Sequence, residues 1–403
     1  MIEISTMSNG VHVITDYHDN AQASIVSLWL HNGSRHQLPD QNGYAHFLEH
    51  LLFKGTQSHT AKQLNDIFET MGGQINAQTG REITGFYGTV PNGDARELLS
   101  LLQDMLLEPS FNEHDVEIEK NIVLQEMAMV KDDPEEVLTE TATANVWPNH
   151  PIGLPILGDT KQITNATTQD LHGYLDSVRC GNRLWIICVG GTPHDKVLEA
   201  CKALETLSAG EAPHSASPIF TQKNTSLEYG LSQSCLQWDM PALAPDHDDY
   251  PTLVVANHLL GGGTNSRLFQ KVREELGLVY GIQSHLEIYS DAGLWSITTA
   301  CEPENKQACF DAAEQCCEDL LSQGATQHEL DITRRYIKAS IILENHNLEA
   351  RMERLAREAI YLKRIDTIEE RLAKIDNVTQ EDISSILKSA WSIRAIGQLS
   401  PES

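Results

Sequence analysis

Two histidines and a glutamate lie close together in an apolar stretch near the N-terminus. His46, Glu49 and His50 occur in the run GYAHFLEHLLFKGT, among large apolar residues. On a helix, residues four apart share a face, so the two imidazoles would point the same way, one turn apart. Two imidazoles at that spacing suit a zinc ion, and Glu49 would lie where it could hold and deprotonate a water molecule. Because buried polar groups need partners, a purely structural role for all three is harder to explain.

A zinc site of this kind needs a third protein ligand and an open fourth position. The candidate third ligand is Glu126, which lies among apolar residues in EIEKNIVLQEMAMV. Glu119 lies two helical turns earlier on nearly the same face, where it could support the water or the ligands. A solvated helix face is the alternative for Glu126. The order H-x-x-E-H reverses the H-E-x-x-H of common metalloproteases, and among 17 histidines it is moderate evidence by itself.

The composition is typical of a globular chain with more than one domain. The chain has 403 residues, of which 40% are hydrophobic and 21% charged, and its length predicts two to three domain-sized units. The first residues, MIEISTMSNG, lack the basic and apolar regions of a secretory signal, and no apolar run is long enough to span a membrane. Eight cysteines without a C-x-x-C pair indicate reduced thiols. We therefore expect a cytoplasmic protein.

The chain is strongly acidic. Its 29 basic and 57 acidic residues give a net charge of −28. This charge argues against nucleic acids and anionic membranes as partners. It permits attraction of basic ligands, and solubility alone is the alternative explanation.

Local patterns predict the strands and helices that would position these residues. Asn9-Gly10 lies between two extended runs and predicts a hairpin. GQINAQTGREITGFYGTVP predicts two strands around a turn at Thr79-Gly80. Thr60 predicts the start of a helix, and Gly72 or Gly73 predicts its end. A long helical pattern, NEHDVEIEKNIVLQEMAMVKDDPEEV, begins at Asn112 and carries both candidate carboxylates.

The chain divides into two halves. The stretch TLSAGEAPHSASPIFTQKNTS is rich in Ser, Ala, Pro and Thr and follows a predicted strand and helix. We predict an N-terminal zinc-binding domain over 1–210, a linker over 211–226 and a C-terminal domain over 227–403.

The second half of the chain has a weak sequence similarity to the first. Aligning VVANHLL with HFLEHLL puts Val254 at the position of His46 and Asn257 at the position of Glu49. Internal duplication stays open on this similarity alone. If the halves are duplicated, the second copy has lost one imidazole and the carboxylate, and only the first would bind metal.

Taken together, the motifs resemble the M16 peptidases, the pitrilysin-type or inverzincin metallopeptidases. The matching segments are AHFLEHLLFKGT, INAQTGREITGFYG, VLQEM, GGGTNSRLFQKVREELGLVYG and DAGLWSI, in order over nearly the whole chain. The processing-peptidase-like subfamily, with chains of similar length, is the most similar group. The resemblance implies an α+β fold of two homologous domains, each a mostly antiparallel sheet packed with helices (the LuxS/MPP-like metallohydrolase fold), together forming half of a clam-shell.

The resemblance also implies a role for each residue of the metal site. His46, His50 and Glu126 would bind one Zn²⁺ per chain. Glu49 would act as the general base, and Glu119 would be the family's auxiliary acidic residue.

Further site residues follow only from the resemblance. Tyr280 would hydrogen-bond the oxyanion, and Arg273 would help to hold the substrate backbone, both from the non-zinc half. Asn76 and Ala77 would lie on an edge strand that pairs with an extended peptide; a plain edge strand is the alternative.

An acidic pair falls where processing peptidases receive a substrate arginine. Glu136 and Glu140 are one helical turn apart in DDPEEVLTE, so both could face the same cleft. A solvated acidic helix is the alternative.

The predicted function is that of a zinc metalloendopeptidase that cleaves short or unfolded peptides, including basic, presequence-like ones, inside an enclosed chamber. The resemblance implies a homodimer in which the zinc half of one chain faces the Arg/Tyr half of the other, and a hetero-oligomer with an inactive M16 homologue stays open. The alternative function is a non-catalytic scaffold subunit of a hetero-oligomer, although such subunits typically lack metal ligands. A zinc-storage module is disfavoured because it would give Glu49 no role.

Overall fold

The computed structural model describes residues 1–230 and 232–402, which form an α+β chain. The strands are β1 (Ile2–Thr6), β2 (His12–Tyr17), β3 (Ala23–Leu30), β4 (Gln74–Thr79), β5 (Thr84–Pro91), β6 (Leu184–Gly190), β7 (Thr225–Tyr229), β8 (Ser234–Ala242), β9 (Val279–Ile288), β10 (Gly293–Cys301) and β11 (Ala395–Pro401). The α-helices are α1 (Tyr44–Leu52), α2 (Ala61–Met71), α3 (Ala95–Leu107), α4 (Glu113–Lys131), α5 (Pro134–Val146), α6 (Thr160–Asn165), α7 (Thr168–Val178), α8 (His194–Ala200), α9 (Tyr250–Gly261), α10 (Lys306–Gln323), α11 (Gln327–Glu344), α12 (Leu348–Arg357), α13 (Ile368–Asp376) and α14 (Gln380–Trp391). Two segments, Phe269–Glu275 and Glu358–Leu362, are π-helical.

Several local predictions agree with these elements. β1 and β2 form the antiparallel hairpin predicted around Asn9-Gly10. Thr60 caps α2 by accepting a hydrogen bond from the backbone N–H of Gln63, and Gly72 ends that helix in the left-handed region. The long helical pattern from Asn112, however, is two helices.

The break between α4 and α5 has a local cause. Pro134 has no backbone N–H and disfavours a helical conformation at Asp133. Asp133 is extended, and its side chain caps α5. Among the described residues, no helix combines the length and the apolar character that a membrane span requires.

The first of two compact units contains a six-stranded mixed sheet. Unit 1 comprises residues 1–128, 154–216 and 345–360. Its strand order is β1-β2-β6-β3-β5-β4, in which β2 and β6 run parallel and the other neighbours are antiparallel. β4 lies at the edge, so one side of its backbone has no neighbouring strand among the described residues.

The second unit repeats this topology. Unit 2 comprises residues 129–153, 217–344 and 361–403. Its strand order is β7-β11-β8-β10-β9, with β7 and β11 parallel and the other neighbours antiparallel. Without β1, the first sheet has the same order and the same strand directions, with β4 and β9 at equivalent edges. The repeated topology supports the duplication that the sequence left open.

Each sheet is covered on one face by a helix from the other half of the chain. In unit 1, the indole N–H of Trp29 on β3 donates to the sulfur of Met352 on α12, at 3.3 Å. In unit 2, Leu138 on α5 packs against Cys235 and Leu399. The compact units therefore do not follow chain order, whereas the ranges 1–210 and 227–403 do; those sequence ranges stay a prediction.

Candidate metal centre

Helix α1 separates its apolar residues from its polar ones. It begins after Gly43, whose φ of +98° lies in the left-handed region that glycine tolerates best. Phe47 and Leu51 are buried in the core of unit 1. His46 and His50 lie on the other side, with 13% and 17% of their side-chain surface exposed. Their ring centroids are 4.7 Å apart, so the predicted shared face is present.

Helix α4 brings Glu126 to the two imidazoles. Its Oε2 atom lies 3.8 Å from Nε2 of His46 and 3.5 Å from Nε2 of His50. Two ligands of a tetrahedral zinc, each about 2.0–2.1 Å from the metal, would be separated by about 3.3–3.4 Å. Within the part of the chain that the structure describes, these three residues are the one group of His, Cys, Asp or Glu with donor atoms all within 4.8 Å of one another.

The burial and protonation of these donor groups are suited to binding a cation. Oε2 of Glu126 is buried and has no hydrogen-bond partner among the described residues, which is costly for a carboxylate oxygen. Burial, with a smaller effect of His50, lowers the pKa of His46 to about 4. His46 is therefore neutral at pH 7, and its lone pair is available to a metal.

A buried carboxylate orients the second imidazole. Glu119, with 2% of its side chain exposed, has Oε2 3.0 Å from Nδ1 of His50. Its other oxygen, Oε1, lies 2.5 Å from Nζ of Lys54. A proton on Nδ1 of His50 would be donated to Glu119, which leaves Nε2 unprotonated toward Glu126. The residues thus provide two imidazoles and a carboxylate, a ligand set that suits zinc.

Comparisons with known proteins agree with this geometry. Residues 12–160 match the family model described as insulinase (peptidase family M16), and residues 165–337 match the M16 peptidase inactive domain. An uncharacterized zinc protease of Mycobacterium leprae is 30% identical over 389 residues, which cover 95% of this chain and 87% of that protein. The chain belongs to peptidase family M16. The predicted family is therefore confirmed, as is the predicted α+β fold with two sheets packed with helices.

Three further proteins match this chain along nearly their whole length. An uncharacterized zinc protease of Bacillus subtilis is 28% identical over 392 residues, which cover 97% of this chain and 96% of that protein. A solved M16 inactive-domain protein from Pseudomonas fluorescens has a TM-score of 0.92 at 19% identity, covering 100% of this chain and 98% of its own. A solved protease from Helicobacter pylori has a TM-score of 0.92 at 20% identity, with coverage of 100% and 99%.

The carboxylate between the M16 histidines has a separate environment. Glu49 lies on the polar side of α1, and the hydroxyl of Thr79 at the end of β4 donates a hydrogen bond to its Oε2. Burial raises the pKa of Glu49, and the hydrogen bond from Thr79 opposes that rise. Glu49 therefore lies beside the three candidate ligands and is not one of them.

The arginine and tyrosine expected from the M16 resemblance lie together in unit 2. Arg273 is in the π-helical segment, and its Nε donates to the carbonyl of Tyr280 at 2.8 Å. Its guanidinium lies over the ring of Phe269, 4.9 Å from the centroid. A turn through Gly277, with φ of +62°, brings the two residues together. The side chain of Tyr280 is 93% exposed, so its hydroxyl is open to a ligand.

The remaining residues predicted from the M16 resemblance lie on two elements. Asn76 and Ala77 are on β4, the edge strand of unit 1. Glu136 and Glu140 are on α5 in unit 2, where Glu136 is exposed and Glu140 half-buried. The predicted edge strand is thus present, and the two acids are one turn apart on a helix.

Sequence reasoning missed several supporting residues. Lys54 lies four residues after His50, a spacing that could have indicated it. Arg35 and Glu82 form a buried ion pair at 2.7 Å, with 1% of each side chain exposed, and are joined only by the fold. Thr79 was noted only as part of a turn.

Substituting Lys54 by Met should weaken zinc binding about 10-fold. The change leaves the buried Glu119 carboxylate with one partner fewer, so it holds His50 less firmly. Competition with a chromogenic chelator would measure the dissociation constant for zinc. Lys62→Met is the matched control, because Lys62 forms an exposed ion pair with Asp66 away from this site. Equal zinc affinities of the two variants would contradict the role of Lys54.

Proposed function

We propose that this chain is a zinc-dependent endopeptidase. The observation that carries the proposal is the convergence of His46, His50 and Glu126, with Glu49 beside them and outside the ligand set. Two imidazoles, one carboxylate and an adjacent carboxylate base are the groups that zinc-assisted peptide hydrolysis needs. Membership of a peptidase family, with relatives named zinc proteases, supports the same activity.

Each side chain of the site has a separate role in the proposed hydrolysis. A bound zinc ion supplies a Lewis acid that polarises the scissile carbonyl and acidifies water. Glu49 takes the proton of the attacking water and later gives it to the leaving amine. Tyr280 donates a hydrogen bond to the oxyanion, and Arg273 helps to hold the substrate backbone. Glu119 keeps His50 in the tautomer that a ligand requires.

The edge strand indicates what kind of substrate fits. The open backbone edge of β4, at Asn76 and Ala77, can pair with an extended peptide as a further strand. Strand addition requires an extended backbone, so short or unfolded polypeptides are the substrates. We propose that they are cleaved inside an enclosed chamber, as the M16 resemblance implies.

A scaffold subunit is the rival function within this family. Such a subunit would not need a complete set of metal ligands with a separate base. All three ligands and Glu49 are present and converge in unit 1. That completeness favours the enzyme.

Substituting Glu49 by Gln should lower the rate of peptide hydrolysis by about 10²–10⁴-fold, to a small residual rate, and leave zinc binding intact. The amide cannot accept the proton of water, whereas the ligand atoms are unchanged. Zinc content and hydrolysis of a quenched unfolded peptide would be measured side by side, before and after removal of the metal by a chelator and its restoration. Full activity of Glu49→Gln, or of the chelated wild type, would refute the proposal.

Two differently inactivated chains should restore activity when they are combined in one dimer. We propose a homodimer in which the zinc half of one chain works with the Arg/Tyr half of the other. A doubly tagged dimer of His46→Ala and Tyr280→Phe chains would then regain one of two sites, about half of wild-type activity. The matched control pairs His46→Ala with Glu49→Gln, which leaves no intact zinc half. Equal inactivity of both mixed dimers would argue for a complete site within one chain or with an inactive homologue.

Basic residues near the scissile bond should be preferred. A cavity of about 280 Å³ in unit 2 is lined by Glu135, Glu136 and Glu287, so it would favour a cationic side chain. Cleavage of a peptide library should be enriched in Arg or Lys. The enrichment should fall in Glu136→Gln, which changes the lining of this cavity, and in Glu140→Gln, whose role follows from the M16 resemblance. Glu97→Gln is the control, because it also removes one negative charge, from an exposed side chain on α3 in unit 1. A library profile without basic enrichment would remove this substrate class.

A further inference from the structure

The proposed base is tied to the edge strand by one hydroxyl. Thr79 is the last residue of β4, and its Oγ1–H donates to Oε2 of Glu49 on α1. The terminal torsion of a glutamate is broad, so without a partner its two oxygens would sample many directions. A hydrogen bond to one oxygen fixes the plane of the carboxylate and leaves the other oxygen free to accept a proton.

The two-residue period of β4 explains why Thr79 faces α1. Ile75 and Ala77 lie on the same face and pack against the core of unit 1. The intervening residues point to the opposite face. The amide of Asn76 hydrogen-bonds Tyr87, and Gln78 Nε2 donates to Glu353 on α12 at 3.4 Å. A slip of β4 by one residue would turn Thr79 away from Glu49.

The turn that follows Thr79 is anchored on both sides. Within the turn, the N–H of Gly80 donates to the carbonyl of Ile83 at 2.8 Å. Arg35 binds Glu82 across 2.7 Å in a fully buried ion pair. The hydroxyl of Thr79 is therefore held in place by backbone that has little freedom to move.

We propose that Thr79 is a positioning residue for the base: its hydroxyl holds the carboxylate of Glu49 in the orientation that accepts a proton from water. This inference rests on the proposed peptidase function. Strand β4 would then have two roles. Its backbone edge pairs with the peptide, and Thr79 at its end orients Glu49. A peptide that pairs with β4 would thus find Glu49 already oriented.

Two roles of Thr79 can be distinguished by kinetics. A residue that only shapes the peptide-binding edge would change KM. A residue that orients Glu49 would change kcat, because a misdirected base lowers the rate of proton transfer without weakening substrate binding.

The test compares Thr79→Val, which keeps the shape but lacks the hydroxyl, with Thr79→Ser, which keeps the hydroxyl. We expect kcat of Thr79→Val to fall about 10-fold or more, with KM and the zinc dissociation constant unchanged. Thr79→Ser should stay close to wild type. Thermal unfolding of both variants would establish that the fold is intact. An unchanged kcat in Thr79→Val, or a loss confined to KM, would overturn the role of Thr79.

A double-mutant cycle tests whether Thr79 acts through Glu49. In the Glu49→Gln background, Thr79→Val should cause no further loss of the residual rate, because the group it orients is already gone. An additive loss would show that Thr79 acts by another route and would overturn the proposal.

A structural readout keeps this inference separate from the proposed activity. Crystal structures of zinc-loaded wild type and Thr79→Val should show Glu49 in one conformation in the former and displaced or in two conformations in the latter. An unchanged Glu49 would overturn the positioning role even if no peptidase activity were found. Absence of zinc-dependent hydrolysis in the wild type would refute the proposed function alone.

Discussion

The arrangement of unit 1 depends on how three polar groups are held among apolar ones. Oε2 of Glu126 is buried, lacks a hydrogen-bond partner among the described residues and faces two imidazoles. Burying such an oxygen costs free energy that a divalent cation would offset. The neutral His46 and the oriented His50 supply the other donor atoms. Helices α1 and α4 must therefore pack closely enough to keep three donors within one coordination sphere.

Two supporting contacts hold this site from different directions. Glu119, paired with Lys54, lies behind His50, and Thr79 holds Glu49 from the end of β4. The first contact acts on a candidate metal ligand, the second on the proposed base. Metal binding and proton transfer are thus supported by separate elements, and a change in one need not alter the other. That separation makes it possible to assign the roles one at a time.

The repeated topology places different side chains at equivalent positions of the two units. Apart from the extra strand β1, the two sheets have the same strand order and directions, with β4 and β9 at equivalent edges. In unit 2, the counterpart of Glu49 is Asn257, which accepts a hydrogen bond from Ser284 at 2.6 Å. His258, the counterpart of His50, stacks on Tyr336 with ring centroids 4.3 Å apart. On α9, Asn257 and His258 thus make contacts within unit 2. The edge strand β9 carries Tyr280, which lies beside Arg273.

The sequence by itself determined the local part of this protein. The spacing of His46, Glu49 and His50 placed two imidazoles on one helix face, because helix periodicity depends only on neighbouring residues. Caps, turns and the alternation along β4 were equally local. The tertiary structure alone decided that Glu126 meets the imidazoles, that Lys54 reaches Glu119 and that Thr79 reaches Glu49. Those contacts join elements whose separation depends on the packing of the whole sheet, and no local pattern encodes that packing. The family resemblance anticipated Glu126, but Thr79 and the buried Arg35–Glu82 pair required the fold.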